Sequence, residues 1–108
     1  MPESLSGPKN ISVADAYTYL GTEGHALVDV RTEDEVYELG IQGALAIPLD
    51  QLEMRTQELA GYTSVSVICY SGGRSAVGAH LLHDLGVPHV MNVMGGIIAW
   101  KEASLPTI

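Results

Sequence analysis

One thiol stands out in this chain of 108 residues. Cys69 is its only cysteine, and it follows the apolar run Val65-Ser66-Val67-Ile68 and precedes Tyr70-Ser71-Gly72-Gly73-Arg74-Ser75. A thiol reacts as its thiolate, so a neighbourhood that stabilises negative charge makes it a nucleophile at neutral pH. Gly72 and Gly73 let the loop curl with its amides inward, Arg74 adds a fixed positive charge, and the hydroxyls of Ser71 and Ser75 are further donors. Tyr70 is placed to line the rim. Without these neighbours Cys69 would read as a small buried hydrophobe that closes a strand. With them, the expected chemistry is nucleophilic attack by sulfur inside an anion-holding bowl.

Such a bowl needs a strand to end at the cysteine and a helix to begin just beyond it. The β-branched, uncharged run before Cys69 suits a strand covered on both faces of a parallel sheet. After the loop, Gly78, Leu81, Leu82 and Leu85 recur at helical spacing, and Gly86 and Pro88 close the pattern. The helix start would then direct the positive end of its dipole at the sulfur and lower the thiol pKa.

The remaining elements alternate in the same way. After a polar lead-in over residues 1–9 and a short strand near Ile11, Ser12 caps a helix running to Leu20, with Val13, Ala16, Tyr17 and Leu20 on one face. Residues 26–30 form a second strand bearing Asp29 near its end, and Thr32 or Asp34 caps a short acidic helix through Glu38. Residues 44–48 form a third strand ended by Pro48, and residues 51–59 form a helix through Leu52, Arg55 and Leu59. The last strand covers residues 87–92, and Gly95-Gly96 leads into a final turn with Ile97, Ile98 and Trp100. The pattern predicts an α/β fold: a small, doubly wound, mostly parallel sheet with helices on both faces and its ligand site at the carboxyl ends of the strands.

Composition narrows the function classes. The net charge is −8, with 46% hydrophobic and 17% charged residues, which suits one folded domain and disfavours nucleic acid or anionic membrane as partners. A lone cysteine forms no internal disulfide, and the amino-terminal residues lack the pattern of a targeting segment, so a reducing, cytoplasmic setting is expected. His80 and His83 lie one turn apart on a solvated helix face with no third ligand, so no metal is expected. His25 and His89 have no predictable partner, which leaves a Cys-His hydrolase pair unsupported. Trp100 reads as core.

Taken together, Asp29-Val30-Arg31, Ile41-Gln42-Gly43-Ala44 with Ile47-Pro48, the Cys69 to Ser75 loop, and Gly95-Gly96 with Trp100 resemble the single-domain rhodanese family of sulfurtransferases. The resemblance spans residues 10–103 and leaves 104–108 as a tail. It implies that Cys69 cycles between thiol and persulfide without a cofactor, taking sulfur from a donor such as thiosulfate and passing it to cyanide, a thiol or a protein acceptor. Arg74 would either bind the sulfonate of the donor or form a structural ion pair at the helix start. Asp29 and Arg31 are candidates for the pocket wall, with an Arg31 to Glu35 ion pair expected to fix the loop. A monomer or weak dimer is expected. The chain departs from the family where Leu39-Gly40 stands in place of a common Gly-His. Two alternatives belong to other classes: a cysteine phosphatase or arsenate reductase, whose loop has five residues between cysteine and arginine where this one has four, and a non-catalytic rhodanese-like binding module.

Overall fold

A computed structural model describes residues 7–108; the first six residues of the expected lead-in lie outside the described residues. Among the described residues five strands and four α-helices follow in order: β1 (Lys9–Ile11), α1 (Val13–Leu20), β2 (His25–Asp29), α2 (Glu33–Glu38), β3 (Leu45–Ala46), β4 (Ser64–Ile68), α3 (Gly73–Asp84), β5 (Val90–Val93) and α4 (Gly96–Glu102). The strands form one sheet in the order β1-β5-β4-β2-β3, and every pairing is parallel. β4, which leads to Cys69, is therefore the central strand.

The period of two along each strand sends alternate side chains to opposite layers. Ala26 and Val28 of β2 and Val65 and Val67 of β4 pack with Leu52, Leu59, Ala79 and Leu82 on one face. Leu27 and Ile68 point the other way and join Val13, Ala16, Ile97 and Trp100 beneath α1 and α4. Fully burying a leucine such as Leu27 or Leu82 contributes about 1.5–3 kcal/mol, so these two layers dominate the stability of the domain. Both helix starts that follow serine or threonine are capped as their residues suggest. Ser12 Oγ accepts the Asp15 amide, and Thr32 forms a reciprocal capping box with Glu35.

Several elements differ from the sequence expectation. The buried stripe of α3 is Ser75, Gly78, Ala79 and Leu82, while Leu85 is 45% exposed. Gly78 sets that face, since a Cβ there would stand 3.2 Å from Leu52 and 3.3 Å from Leu49. Residues 51–59 form no continuous helix; short 3-10 turns at Leu49–Gln51 and Thr56–Leu59 replace it. The amides of Leu52, Thr56 and Glu58 bond to carbonyls three residues back, at Leu49, Glu53 and Arg55, the tighter spacing of a 3-10 turn. The third strand shrinks to Leu45–Ala46, and the last begins only at Val90 because His89 is left-handed (φ 49°) after Pro88.

Candidate active site

Cys69 follows the last residue of β4, and the loop to α3 wraps its sulfur. The thiol is 1% exposed. The Gly72 amide donates to Sγ at 3.0 Å, and the Ser75 hydroxyl lies 3.3 Å from it. Gly72 makes the wrap feasible with φ of 114°, a conformation that other residues rarely adopt. Burial alone pushes the thiol pKa up. The Ser75 hydroxyl and the amides of Ser75, Gly72 and Ser71 act the other way and prevail, so the net shift is downward. The first turn of α3 begins within this loop, which adds its dipole to the same effect.

A second element fixes the loop from behind. At the start of α4, the Ile97 amide donates to the Cys69 carbonyl at 2.9 Å and the Ile98 amide to the Tyr70 carbonyl at 3.1 Å. This approach requires Gly96, whose added Cβ would collide with the Cys69 and Tyr70 carbonyl oxygens. The sequence pair Gly95-Gly96 thus serves the cysteine loop directly as well as starting the final helix.

The charged residues are arranged differently from the expectation. Arg31 does not pair with the Glu35 carboxylate; its guanidinium lies 2.7 Å from Oδ2 of Asp29, both residues being deeply buried, and 2.6 Å from the carbonyl oxygen of half-buried Leu39. Glu35 instead takes Arg74 in a two-pronged pair at 2.7 and 2.8 Å. The Arg74 bonds hold the Glu35 carboxyl at about 2, well below its usual 4.5, and Glu35 also accepts from Thr32. Arg74 is therefore engaged in a structural ion pair with α2, and its charge is largely neutralised. Asp29 acts one step back, as the partner that sets Arg31. Arg31 itself lines a cavity of about 430 Å³ beside the loop, together with Glu35, Leu39, Tyr70, Ile97 and Ile98. Tyr70, 52% exposed, forms the edge shared by cavity and loop.

Ser71 and Gly73 complete the loop on its exposed side, and Ser75 is fully buried beneath it. Below Ser75, its hydroxyl contacts Oδ1 of Asn92 at 2.6 Å, and Asn92 Nδ2 donates to Asn10 Oδ1 at 3.1 Å. Asn92 is 8% exposed and escaped notice in the sequence; a polar residue at an inward position of a buried strand was the available signal. The histidines lie elsewhere. His25 is buried at the opposite end of the sheet between Ser64 and Ser66, at 2.6 and 2.8 Å, which supplies the partners that were not predictable. His89 and His80 are exposed, and among the described residues no group of three or more His, Cys, Asp or Glu gathers as a metal would need.

Fold and loop together define a parallel α/β domain that presents a single amide-wrapped thiol at the carboxyl end of its central strand. The rhodanese-like domain family matches residues 12–103, and the chain belongs to that family. It is 37% identical over 87 residues to a sulfurtransferase of Allochromatium vinosum, with 81% of each chain covered. It is 30% identical over 92 residues to the thiosulfate sulfurtransferase GlpE of Tolumonas auensis, covering 85% of this chain and 87% of the relative. A solved rhodanese-related protein of Thermoplasma volcanium superposes with a TM-score of 0.81 at 31% identity, covering 93% and 97% of the two chains. At family level these relatives support a sulfurtransferase.

Proposed function

We propose that this protein moves a sulfane sulfur from a donor such as thiosulfate to a nucleophilic acceptor through a persulfide on Cys69. The observation that carries the reading is the Gly72 amide on Sγ at 3.0 Å, within a loop whose other donors also face the sulfur. In the first step the thiolate attacks the outer sulfur of thiosulfate. A bond forms between Sγ and that sulfur, the S–S bond of the donor breaks, and its electron pair leaves with sulfite. In the second step a thiolate or cyanide attacks the outer sulfur of the persulfide, and the electron pair of the breaking bond returns to Sγ. The thiolate carries its charge on Sγ and the persulfide carries it on the outer sulfur one bond further out, so the inward-facing amides of a single loop favour both anionic states. No cofactor enters this scheme.

Loop length favours sulfur transfer over phosphoryl or arsenate chemistry. Only four residues separate Cys69 from Arg74, and this shorter loop makes a smaller bowl, better matched to one added sulfur atom than to a tetrahedral phosphoryl group. The cavity bounded by Tyr70, Leu39 and Ile97 offers an apolar approach for an organic thiol or a protein acceptor.

Intact mass spectrometry tests the proposal. Thiosulfate is expected to add one sulfur atom to the chain, cyanide to remove it, and Cys69→Ser to abolish the addition. Sulfur uptake retained in that variant would overturn the assignment.

A further inference from the structure

The Ser75 hydroxyl has one proton and three polar neighbours: Cys69 Sγ at 3.3 Å, the Gly72 carbonyl oxygen at 3.2 Å and Asn92 Oδ1 at 2.6 Å. The shortest contact fixes the proton on the Asn92 side, because two acceptor oxygens 2.6 Å apart repel unless a hydrogen lies between them. Ser75 Oγ is then left to accept the Sγ–H of a neutral thiol. This arrangement suits the protonated cysteine and withholds a donor from the thiolate.

A thiolate has no proton to give and needs the Ser75 hydroxyl turned toward it. Ser75 can turn only if Asn92 supplies a donor in exchange. Rotating the Asn92 amide by half a turn does this without changing its shape: Nδ2 faces Ser75 Oγ, and Oδ1 faces Asn10. Asn10 is exposed on the edge strand β1, so its own amide can turn to donate in place of accepting. The charged groups at this end of the sheet, Arg74 with Glu35 and Arg31 with Asp29, are bound to one another. The row from Sγ through Ser75 and Asn92 to Asn10 is uncharged, and only its hydrogen-bond direction responds to the proton on sulfur.

We infer that Asn92 is a positioning residue whose amide sets the direction of the Ser75 hydroxyl, and that Asn10 and Asn92 reverse together when Cys69 passes from thiol to thiolate. The inference rests on the reading of Cys69 as the nucleophile. It assigns the reversal to two residues whose hydrogen bonds reach the sulfur only through Ser75.

The test is the pH dependence of Cys69 alkylation by iodoacetamide in the full chain, read as a midpoint. An ionised aspartate at either position can only accept. Asn92→Asp holds the Ser75 proton away from sulfur and is expected to raise the midpoint by about one unit, a tenfold lower rate below it. Asn10→Asp, on an exposed side chain that tolerates change, holds Asn92 with Nδ2 outward and is expected to raise the midpoint by a smaller amount. Asn92→Leu demands no proton from Ser75 and is expected to leave the midpoint at or below that of the parent. In a Ser75→Ala background both aspartate shifts are expected to fall by more than half. Equal midpoints for Asn92→Asp and Asn92→Leu would overturn the inference, as would aspartate shifts that persist undiminished without Ser75, since they would then reflect charge alone. Where Asn92→Asp does not fold, an unmoved midpoint in Asn10→Asp overturns it. Sulfur uptake is measured separately, so failure of the sulfur-transfer reading is distinguishable from failure of the relay.

Discussion

Glu35 decides what Arg74 can do. Its carboxylate caps α2 through Thr32 and grips both prongs of Arg74, so one side chain ties two helices and removes a free cation from the mouth of the loop. The pair is about one third exposed on each side, so it is worth no more than about 1 kcal/mol after solvent screening. Its pH dependence has a definite sign. A carboxyl held near 2 against 4.5 stabilises the fold above the unfolded value, and that contribution is lost as the pH falls from 4.5 toward 2. Glu35→Gln is expected to melt a few degrees below the parent at pH 7, with the gap closing at pH 3. Because it frees Arg74, the same variant is expected to show a lower KM for thiosulfate, which steady-state kinetics would measure; an unchanged KM would mean that Arg74 does not reach the donor. Cys69, its glycines and Ser75 were legible in the sequence because they act within seven consecutive positions. The partners of Arg74 and Ser75 were not, since Glu35 and Asn92 lie 39 and 17 residues away and meet the loop only through the strand order.

Among the elements, α4 is the brace on which the loop depends. Its first amides hold the Cys69 and Tyr70 carbonyls, and Gly96 allows the contact at φ of 55°. Gly96→Ala combines a left-handed conformation with a backbone collision and is expected to cost about 3 kcal/mol, lowering the melting temperature by roughly 10 °C or more. Thermal denaturation would check this, and a loss within 2 °C would mean that the brace yields freely. Sulfur uptake by the folded fraction is expected to fall as well, because the loop loses its backing. Local signals in the chain were enough for β2, β4, α1 and α3, where long apolar patterns and caps agree. They failed between residues 46 and 61, where the amides of Leu52, Thr56 and Glu58 bond three residues back and short turns form in place of a helix. Hydrophobicity alone placed Gly78 and Leu82 correctly on the α3 stripe but missed Ser75 and Ala79, which face inward beside them where Leu49 and Leu52 approach closely, and Leu85 lies beyond the last covered turn.

Over the whole molecule, the net charge of −8 opposes the approach of a dianionic donor, and the pairing of Arg74 with Glu35 leaves little local positive charge to counter it. Raising salt from 0.01 to 0.15 M shortens the Debye length from about 30 to about 8 Å, which removes long-range repulsion before it weakens contacts inside the loop. The kcat/KM for thiosulfate is therefore expected to rise modestly over this range in a weakly coordinating salt, while an uncharged donor changes little. A steep fall with salt would show that a local positive field governs the encounter. No helix among the described residues is long and apolar enough to cross a membrane. At the far side of α4, the chain folds back on itself: Ile108 and Gly40 exchange amide and carbonyl at 2.9 and 2.7 Å, and Trp100 Nε1 donates to the Pro106 carbonyl at 2.8 Å. The indole is fully buried, with Tyr17 edge-on at 5.9 Å, and it is the only one in the chain. Its ultraviolet emission therefore comes from one spot, under the strap of residues 104–108 and on the helix that carries the loop, and the molecule holds a built-in optical gauge of whether that strap is fastened.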